Sequence, residues 1–392
     1  MPHQNTANFI LEHADADVKK LALQASRYPA VDMSTAIRQI AGRQRMKHKV
    51  PFFFNNIEIL YPAQLSLEQA SSELTARYKA SLISGNSFAD LTGGLGIDCY
   101  FISLNFAQAH YIERNKELHE LVKQNFAALQ ACNITTHCVD AEEFLQETKL
   151  VFDTIFIDPA RRDNSGKKVV FVSDCEPDIT RLLPLLKEKC RVMMVKLSPM
   201  LDITQAIADL PGTNKVHVVS VDNECKEIIL IADWTSNMEI EYKTVNIRKE
   251  RTEIFSFTPA DESCATASYA DKLCHYLYEP NSSLMKAGAY RILSERFDIQ
   301  KLHPNTHLYT SEHLLSNFPG RIFEIETVLG STKQELKSLK VSSPKANIAV
   351  RNYPATVDEL RKKTGIKDGG EVYIFACKIN NGENKIVKCR KV

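Results

Sequence analysis

Several acidic residues and one group of glycines each follow a short apolar run in this sequence. Their types and positions make them candidates for catalysis or ligand binding. Residues 86–98 read Asn-Ser-Phe-Ala-Asp-Leu-Thr-Gly-Gly-Leu-Gly-Ile-Asp, and an amphipathic segment, 95–106, begins within them. The pattern predicts a strand that ends near Asp90, a tight turn over the glycines, and a helix. Glycine tolerates positive φ and lets a ligand lie against the backbone, and the helix start offers free N–H groups. We therefore predict a ligand-binding loop here.

The next two apolar runs also end in acids. Run 109–112 leads to Glu113, and run 134–139 leads to Asp140. Glu113 stands where a strand-end acid would reach a ribose diol in an open α/β sheet. The glycine spacing disfavours a dinucleotide site, because Cys99 occupies the position of its third glycine and Asp90 has no role in that fingerprint.

This order of residues resembles the class I S-adenosylmethionine-dependent methyltransferases, whose first motif is an acid, two further positions and a Gly-x-Gly turn. The resemblance implies S-adenosylmethionine as the cofactor, with Asp90 and Gly94 facing its methionine part, Glu113 binding its ribose hydroxyls, and Asp140 near its adenine amine. The cofactor-binding residues implied are Asp90, Thr92, Gly93, Gly94, Gly96, Glu113, Arg114, Asp140, Ala141 and Asp158. Each acid could also be an ordinary strand-end or cap residue, and for Asp140 alone both interpretations stay open.

A fourth apolar run, 151–157, leads into Asp158, Pro159, Ala160 and Arg161. Ligands of open α/β sheets bind beyond the carboxyl ends of the strands, so these residues should face the glycine loop. We predict Asp158, Pro159 and Arg161 as catalytic residues, with Asp158 orienting or deprotonating the acceptor. Many nucleic-acid methyltransferases have a second proline and an aromatic residue where this chain has Ala160 and Arg161. The sequence therefore lacks the motif residues that would best support methylation of an exocyclic amine.

Two other features of the predicted cleft are ambiguous. A related Asp-Pro-Pro-Arg sequence is similar to that of the uracil-carbon methyltransferases, but those enzymes need a cysteine nucleophile, and Cys175 and Cys190 are better explained as buried structural residues. Lys196 and Ser198 end the fifth predicted strand and are candidate substrate contacts, although a serine in this place more often caps a helix.

The elements that must position these residues alternate along residues 83–235. Strands are predicted at 88–91, 109–112, 134–139, 153–158, 191–197, 215–221 and 226–233, and helices near 95–106, 115–130, 141–147, 177–188 and 201–209. This alternation predicts a doubly wound, mostly parallel sheet of the α/β class. The last two strands are joined by only four residues, 222–225, which forces an antiparallel hairpin. Such an ending also belongs to the Rossmann-like class I methyltransferase core.

Length and pattern predict four domains, since 392 residues exceed one ordinary core. A helical N-terminal domain covers 1–82, with helices at 33–40 and 67–82, and the cofactor-binding domain covers 83–235. Small α+β domains follow at 236–330 and 331–392, the first with a helix at 283–294. From residue 333 onward, 14 lysines and arginines stand against 6 acids, a balance that favours a polyphosphate partner. This last segment resembles the THUMP-like modules of RNA-modifying enzymes.

A second basic segment, 38–49, precedes the aromatic run 52–54. Basic residues beside aromatics suit phosphate contact and base stacking, but a solvated helix face followed by core aromatics gives the same pattern. Both interpretations stay open.

Composition sets the remaining limits. The net charge is +1, and no window approaches 18 uninterrupted apolar residues, which predicts neither a membrane span nor a signal peptide and favours a cytoplasmic protein. The ten cysteines are scattered without a Cys-x-x-Cys, and Pro304 makes a helix carrying His303 and His307 unlikely, so we predict no structural metal.

The full arrangement resembles a family of bacterial RNA methyltransferases with a helical start, a class I core and a THUMP-like end. The resemblance implies methyl transfer from S-adenosylmethionine to a nucleotide in rRNA or tRNA. Two alternatives from other classes are a methyltransferase acting on a protein or small molecule, and a non-catalytic cofactor- or RNA-binding module. The altered sequence after Asp158 makes the second alternative worth testing.

Overall fold

A computed structural model describes residues 4–62, 67–68, 70–161, 171–330 and 332–392 of the chain. The chain divides into two compact units. The first comprises Met1–Asn214 and Ile228–Met238, and the second comprises Lys215–Glu227 and Glu239–Val392.

Several α-helices precede the sheet in the described part of the first unit. They are α1 (Gln4–Glu12), α2 (Val18–Leu23), α3 (Met33–Lys49), α4 (Pro51–Asn55) and α5 (Glu73–Ala80). Asp17, Asp32 and Ser72 begin α2, α3 and α5 by accepting backbone N–H groups at their N-termini. The helix predicted at 33–40 extends to Lys49, so the basic segment is helical rather than a link between helices. The apolar faces of α1, α2 and α3 form a separate buried cluster.

The sheet of the first unit has the strand order β9-β7-β4-β1-β2-β3. Its strands are β1 (Gly85–Asp90), β2 (Phe106–Ile112), β3 (Ile134–His137), β4 (Phe152–Ile157), β7 (Cys190–Leu197) and β9 (Glu224–Asp233). All neighbours are parallel except β9, which runs antiparallel to β7. The predicted parallel sheet with a reversed final strand is confirmed, and its strand order reverses beside β1, where such sheets bind ligands.

Helices connect these strands at nearly the predicted positions. They are α6 (Ile97–Ser103), α7 (Lys116–Ala128), α8 (Ala141–Glu147), α9 (Ile179–Lys189) and α10 (Ile203–Asp209). Beyond β4, a short antiparallel ribbon pairs β5 (Ala160–Arg161) with β6 (Cys175–Glu176). The apolar centre of the sheet is fully buried, with Phe88, Tyr111 and Phe156 at most 1% exposed.

The second unit contains a group of strands that begins with β8 (Thr213–Val221). β8 pairs in parallel with β10 (Glu241–Ile247), and β10 pairs antiparallel with β11 (Thr252–Phe257). After β8, Asp222 and Asn223 have φ angles of 49° and 66°, as a tight two-residue turn requires.

A seven-stranded sheet forms the rest of the second unit, with the order β13-β14-β12-β15-β18-β17-β16. Its strands are β12 (Tyr276–Pro280), β13 (Gln300–His303), β14 (Thr306–Ser311), β15 (Gly320–Leu329), β16 (Asn347–Arg351), β17 (Val372–Lys378) and β18 (Asn384–Lys391). The helices of this unit are α11 (Pro259–Cys264), α12 (Ser282–Ala287), α13 (Arg291–Phe297), α14 (Lys333–Ser342) and α15 (Val357–Thr364). The single helix predicted at 283–294 was wrong, because Gly288 takes a φ of 79° and ends α12.

Candidate functional site

The glycine loop joins β1 to α6, and its three glycines meet different steric demands. A Cβ on Gly93 would lie 2.2 Å from the Tyr111 ring, so no side chain fits there. Gly96 has a φ of 71°, and a Cβ on it would collide with side chains of α7. Gly94 also has a positive φ, of 52°, but the nearest atom to its Cβ position would be the Thr92 carbonyl oxygen at 3.7 Å. Gly94 therefore has open space on this side, where a ligand can lie against the backbone.

Glu113 holds its carboxylate beside this loop. The Gly94 N–H donates to Glu113 Oε2 at 3.0 Å, and the Asn115 N–H donates to Oε1 at 2.7 Å. The side chain is half-buried, so it keeps a face toward solvent. A carboxylate fixed in this way can accept hydrogen bonds from vicinal hydroxyl groups.

Asp90 lies beneath the loop and is 1% exposed. Burial raises its pKa well above the usual range, and the nearby charges of Asp98, Asp158 and Glu113 raise it further. A hydrogen bond of 3.0 Å from the Thr92 N–H to Asp90 Oδ1 opposes this shift. Asp90 therefore orients the start of the loop from the protein interior.

Asp158 links the glycine loop to the end of β4 and forms an ion pair with Lys196. Its N–H donates to Thr92 Oγ1 at 2.7 Å, which links the ends of β1 and β4. Lys196, at the end of β7, places its Nζ 2.5 Å from Asp158 Oδ2. The two side chains are 30% and 16% exposed, so the pair is accessible from one side. Pro159 is buried behind it.

Of the two predicted arginines, Arg161 is part of the β5–β6 ribbon and Arg114 contacts it through its side chain. Arg161 pairs with Cys175 through its backbone, and its side chain lies outside the described residues. Arg114 Nη1 contacts the carboxylate of Glu176 at 2.5 Å, and both side chains are largely exposed. The ribbon is thus tied to the residue that follows Glu113.

Asp140 and Ala141 begin α8. Asp140 Oδ1 accepts the Glu142 N–H at 2.9 Å, so Asp140 is the N-cap of this helix, and its side chain is exposed at the end of β3. Ala141 is buried. The cap role accounts for Asp140, and contact with an adenine amine stays a prediction.

A buried ion pair that was not predicted from the sequence connects α5 with α6, the helix that follows the loop. Lys79 in α5 is fully buried, and its Nζ lies 3.1 Å from Asp98 Oδ1, in the first turn of α6. Ser71 Oγ donates to the other oxygen of Asp98 at 2.6 Å. This contact joins the helical N-terminal segment to the helix that follows the glycine loop. Sequence spacing carries no signal for it, because the partners lie on separate elements.

The basic residues of the 38–49 segment make contacts within the first unit. Arg43 donates to the carbonyl oxygen of Phe54 at 2.8 Å, and Arg45 lies 2.6 Å from the carboxylate of Glu68. Lys49 donates to the carbonyl oxygens of Leu67 and Glu68, each at 2.9 Å. These contacts favour the structural interpretation of this segment.

Several cations of the C-terminal segment are exposed, whereas others are ion-paired. Lys385 contacts Glu383 at 2.6 Å, and Lys388 contacts Glu326 at 3.1 Å. The exposed lysine cluster on α14, α15 and their adjoining loops consists of Lys340, Lys345, Lys362, Lys363 and Lys367. The cluster is local: Lys345 and Lys367 form a backbone bridge, and Lys340 Nζ reaches 2.9 Å from the Cβ position of Gly365.

The remaining features of the described residues are their potential metal ligands, their thiols and the length and polarity of their helices. Within them, no group of three or more His, Cys, Asp or Glu side chains could hold a metal ion. Cys175 and Cys190 are 2% and 3% exposed, and burial raises the pKa of the Cys190 thiol to about 12. In the same part of the chain, every helix is too short or too polar to cross a membrane.

A comparison with solved structures finds a protein that matches nearly the whole of this chain. A Porphyromonas gingivalis W83 protein, described as a candidate methyltransferase, is 31% identical, with a TM-score of 0.88. The alignment covers 99% of this chain and 97% of that protein.

Other comparisons match parts of the chain. Residues 276–319 match the model of a ferredoxin-like domain, and residues 320–391 match that of a THUMP domain-like family. An rRNA methylase from Streptococcus thermophilus matches 40% of this chain and 93% of its own, at 8% identity and a TM-score of 0.31. A Streptococcus mutans protein solved in complex with SAH matches 41% and 94%, at 9% identity and a TM-score of 0.31. A search of curated proteins found no match.

Proposed function

Because this chain belongs to the class I methyltransferase family that carries a THUMP-like C-terminal domain, we propose that it transfers a methyl group from S-adenosylmethionine to a nucleotide of rRNA or tRNA. The observation that carries the proposal is the Glu113 carboxylate, held beside the open face of Gly94 by backbone N–H groups. A diol-binding acid next to an exposed glycine backbone suits a nucleoside cofactor.

The residues at the ends of β1, β2 and β3 fit this cofactor. Gly94 leaves room against the backbone, and Glu113 has a carboxylate oriented for the ribose hydroxyls. Asp140 and Ala141 stand at the end of β3 for the adenine ring, and Asp90 orients the loop toward the methionine part. Bound there, S-adenosylmethionine would supply a methyl group activated by a sulfonium charge.

Methyl transfer from a sulfonium needs an in-line approach of the acceptor, so the protein contributes mainly position and charge. Asp158 is fixed by Thr92 and Lys196 at the end of β4, beside the glycine loop. We assign to Asp158 the orientation of the acceptor. Pro159 and Arg161 follow it at the same rim of the sheet.

RNA is the proposed acceptor because of the C-terminal segment. That segment matches a THUMP-like family and presents the exposed lysine cluster, whose charges favour a polyphosphate. An RNA substrate implies a cytoplasmic protein.

The test combines cofactor binding with methyl transfer. Calorimetry should give a Kd for S-adenosylmethionine of tens of micromolar or tighter, corresponding to about −6 kcal/mol. Radiolabelled cofactor should label total RNA from a strain that lacks the gene, and Asp158→Ala should abolish labelling while still binding the cofactor. Binding without any RNA labelling by the intact protein would contradict the RNA proposal and favour a protein or small-molecule acceptor, or a binding module.

A further inference from the structure

The contact between Lys196 and Asp158 bears on the kind of atom that receives the methyl group. Ile157 and Val195 are paired on neighbouring parallel strands, so Asp158 and Lys196 follow together at the carboxyl end of the sheet. Lys196 Nζ lies 2.5 Å from Asp158 Oδ2, and the lysine side chain keeps 16% of its surface exposed. An ammonium group therefore lies beside the carboxylate to which we assign the orientation of the acceptor.

A cation in this position opposes methylation of an exocyclic amine. During such a reaction the positive charge of the sulfonium moves onto the amine nitrogen, and a nearby ammonium repels that charge. In addition, the Asp158 oxygen nearest to Lys196 already accepts an ammonium N–H, so less of its charge is available to an amine donor.

The same cation favours an acceptor that reacts as an anion. A nearby positive charge lowers the pKa of an O–H or N–H acid and stabilises the anion that forms. When an anion attacks the methyl group of a sulfonium, its negative charge and the positive charge of the sulfonium both decrease in the transition state. No new positive charge therefore develops beside Lys196.

We propose that the acceptor is a weak O–H or N–H acid of RNA, either a ribose hydroxyl or a ring N–H of a base, and that it reacts in its deprotonated form against the Lys196 ammonium. This inference rests on the proposed function. The acceptor proton leaves to solvent, and the resulting lone pair forms the new bond to the methyl carbon. The bond between that carbon and sulfur breaks, and its electron pair stays on sulfur as a neutral thioether. Asp158 holds Lys196 in place and is its positioning residue.

The neighbouring cysteines do not favour a carbon acceptor that needs a thiol nucleophile. Cys175 and Cys190 are both almost fully buried, and Cys190 Sγ lies 3.2 Å from the Leu186 carbonyl oxygen, within its own structural contacts.

The test is nucleoside mass spectrometry of RNA methylated by the intact protein, together with the pH dependence of kcat/KM. We expect either a ribose O-methyl nucleoside or a ring N-methyl nucleoside. The product identified shows whether the acceptor is a ribose hydroxyl or a ring N–H of a base. The logarithm of kcat/KM should rise with pH at a slope near one and then level off, because solvent takes the proton.

Variants of Lys196 test whether its ammonium group stabilises the deprotonated acceptor. Lys196→Met should lower kcat/KM at neutral pH about 100-fold, as the loss of a charge stabiliser does. It should also move the plateau upward by about one to two pH units. Lys196→Arg keeps the charge and should stay within about tenfold of the intact protein. Lys189→Met is the matched control, because Lys189 is 14% exposed and ends α9 just before the amino end of β7, opposite the end that carries Lys196. It should change kcat/KM by less than about twofold. Cofactor affinity of all three variants, measured by titration calorimetry, should match that of the intact protein, and a cooperative thermal transition should show that each variant is folded.

Failure of this inference differs from failure of the proposed function. An exocyclic-amine or carbon methyl product, or a pH profile unchanged in Lys196→Met, would overturn the inference while leaving RNA methylation in place. Absence of any RNA methylation by the intact protein would overturn both.

Discussion

The three acids of the site are of one chemical type, yet their surroundings separate them. Asp90 is buried among other acids, so it supports the loop and its pKa is raised. Glu113 receives two backbone N–H groups and keeps an exposed face. Asp158 is tied to an ammonium group. One acid therefore shapes the loop, one suits a ligand, and one suits the acceptor.

Replacing Glu113 tests the cofactor site at a single atom. In Glu113→Gln one accepting oxygen becomes an amide donor, so the hydrogen bonds to a ribose diol weaken and Kd for S-adenosylmethionine should rise about 10- to 100-fold. Titration calorimetry measures this change. Glu117→Gln removes an exposed acid from the first turn of α7 and should leave Kd within about twofold. Equal Kd values for the two variants would exclude Glu113 as a ligand.

His217 predicts how stability depends on pH in the second unit. Burial, together with the charges of Lys243 and Lys215, lowers the pKa of His217 to about 4, whereas the unfolded value is near 6.5. The unfolded chain therefore binds the proton first as pH falls below 6.5, and stability is lost between pH 6.5 and 4. Between pH 7 and 5 this group should remove about 2 kcal/mol of unfolding free energy.

Urea denaturation at the two pH values, followed for the intact protein and for His217→Gln, measures this contribution. The variant should show a pH dependence smaller by that amount. A variant that loses as much stability on acidification as the intact protein would assign the effect to other groups.

Single residues also show which parts of the site can be predicted from the sequence alone. The types and order of Asp90, Glu113 and Asp158 pointed to strand ends, because an acid after an apolar run is recognisable without a structure. The pairing of Lys196 with Asp158, and of Lys79 with Asp98, was out of reach, since each pair joins elements whose register only the folded sheet defines.

At the level of elements, the glycine loop separates packing from ligand contact. Gly93→Ala would force a Cβ against the Tyr111 ring and should cost about 1–3 kcal/mol or more of stability. Gly94→Ala meets no clash, so it should cost only about 1 kcal/mol for its positive φ, yet its methyl group would fill the space proposed for the cofactor.

Denaturation and cofactor titration of both variants check this contrast. Gly288→Ala is the control, because Gly288 also has a positive φ and open space, but lies far along the chain at the end of α12. It should lose a similar small amount of stability and bind the cofactor normally. Normal cofactor affinity in Gly94→Ala would contradict the proposed place of the ligand.

The regular elements were the most predictable part of the fold. Alternating strands and helices in 83–235 have a clear period and clear caps, so each predicted strand there lies within a few residues of an observed one. Prediction failed where tertiary context decides. β12, β13 and β14 were not predicted, and one predicted helix is two, because short strands and a glycine cap depend on their neighbours.

At the scale of the whole molecule, the second unit places a limit on how RNA binding can be tested. Leu277 of β12, Phe323 of β15, and Phe375 and Val387 of β17 and β18 share one buried cluster. β15 also pairs with both β12 and β18. Removing residues 331–392 would therefore expose this core, and loss of activity in such a truncation would not distinguish RNA contact from unfolding. A test that preserves the fold must change surface charge alone.

The double substitution Lys362→Glu and Lys363→Glu reverses two charges in the exposed lysine cluster. Both side chains are exposed, so the buried core is unchanged. If both side chains contact phosphates, RNA affinity should fall at least about tenfold at low salt, and the slope of log K against log salt should decrease by about two. Lys19→Glu with Lys20→Glu is the matched control, because these two lysines are exposed on α2 of the first unit and give the same change in net charge. Filter binding across a salt series should leave the control near the intact protein. Equal losses in the two double variants would mean that overall charge, rather than this cluster, drives association with RNA.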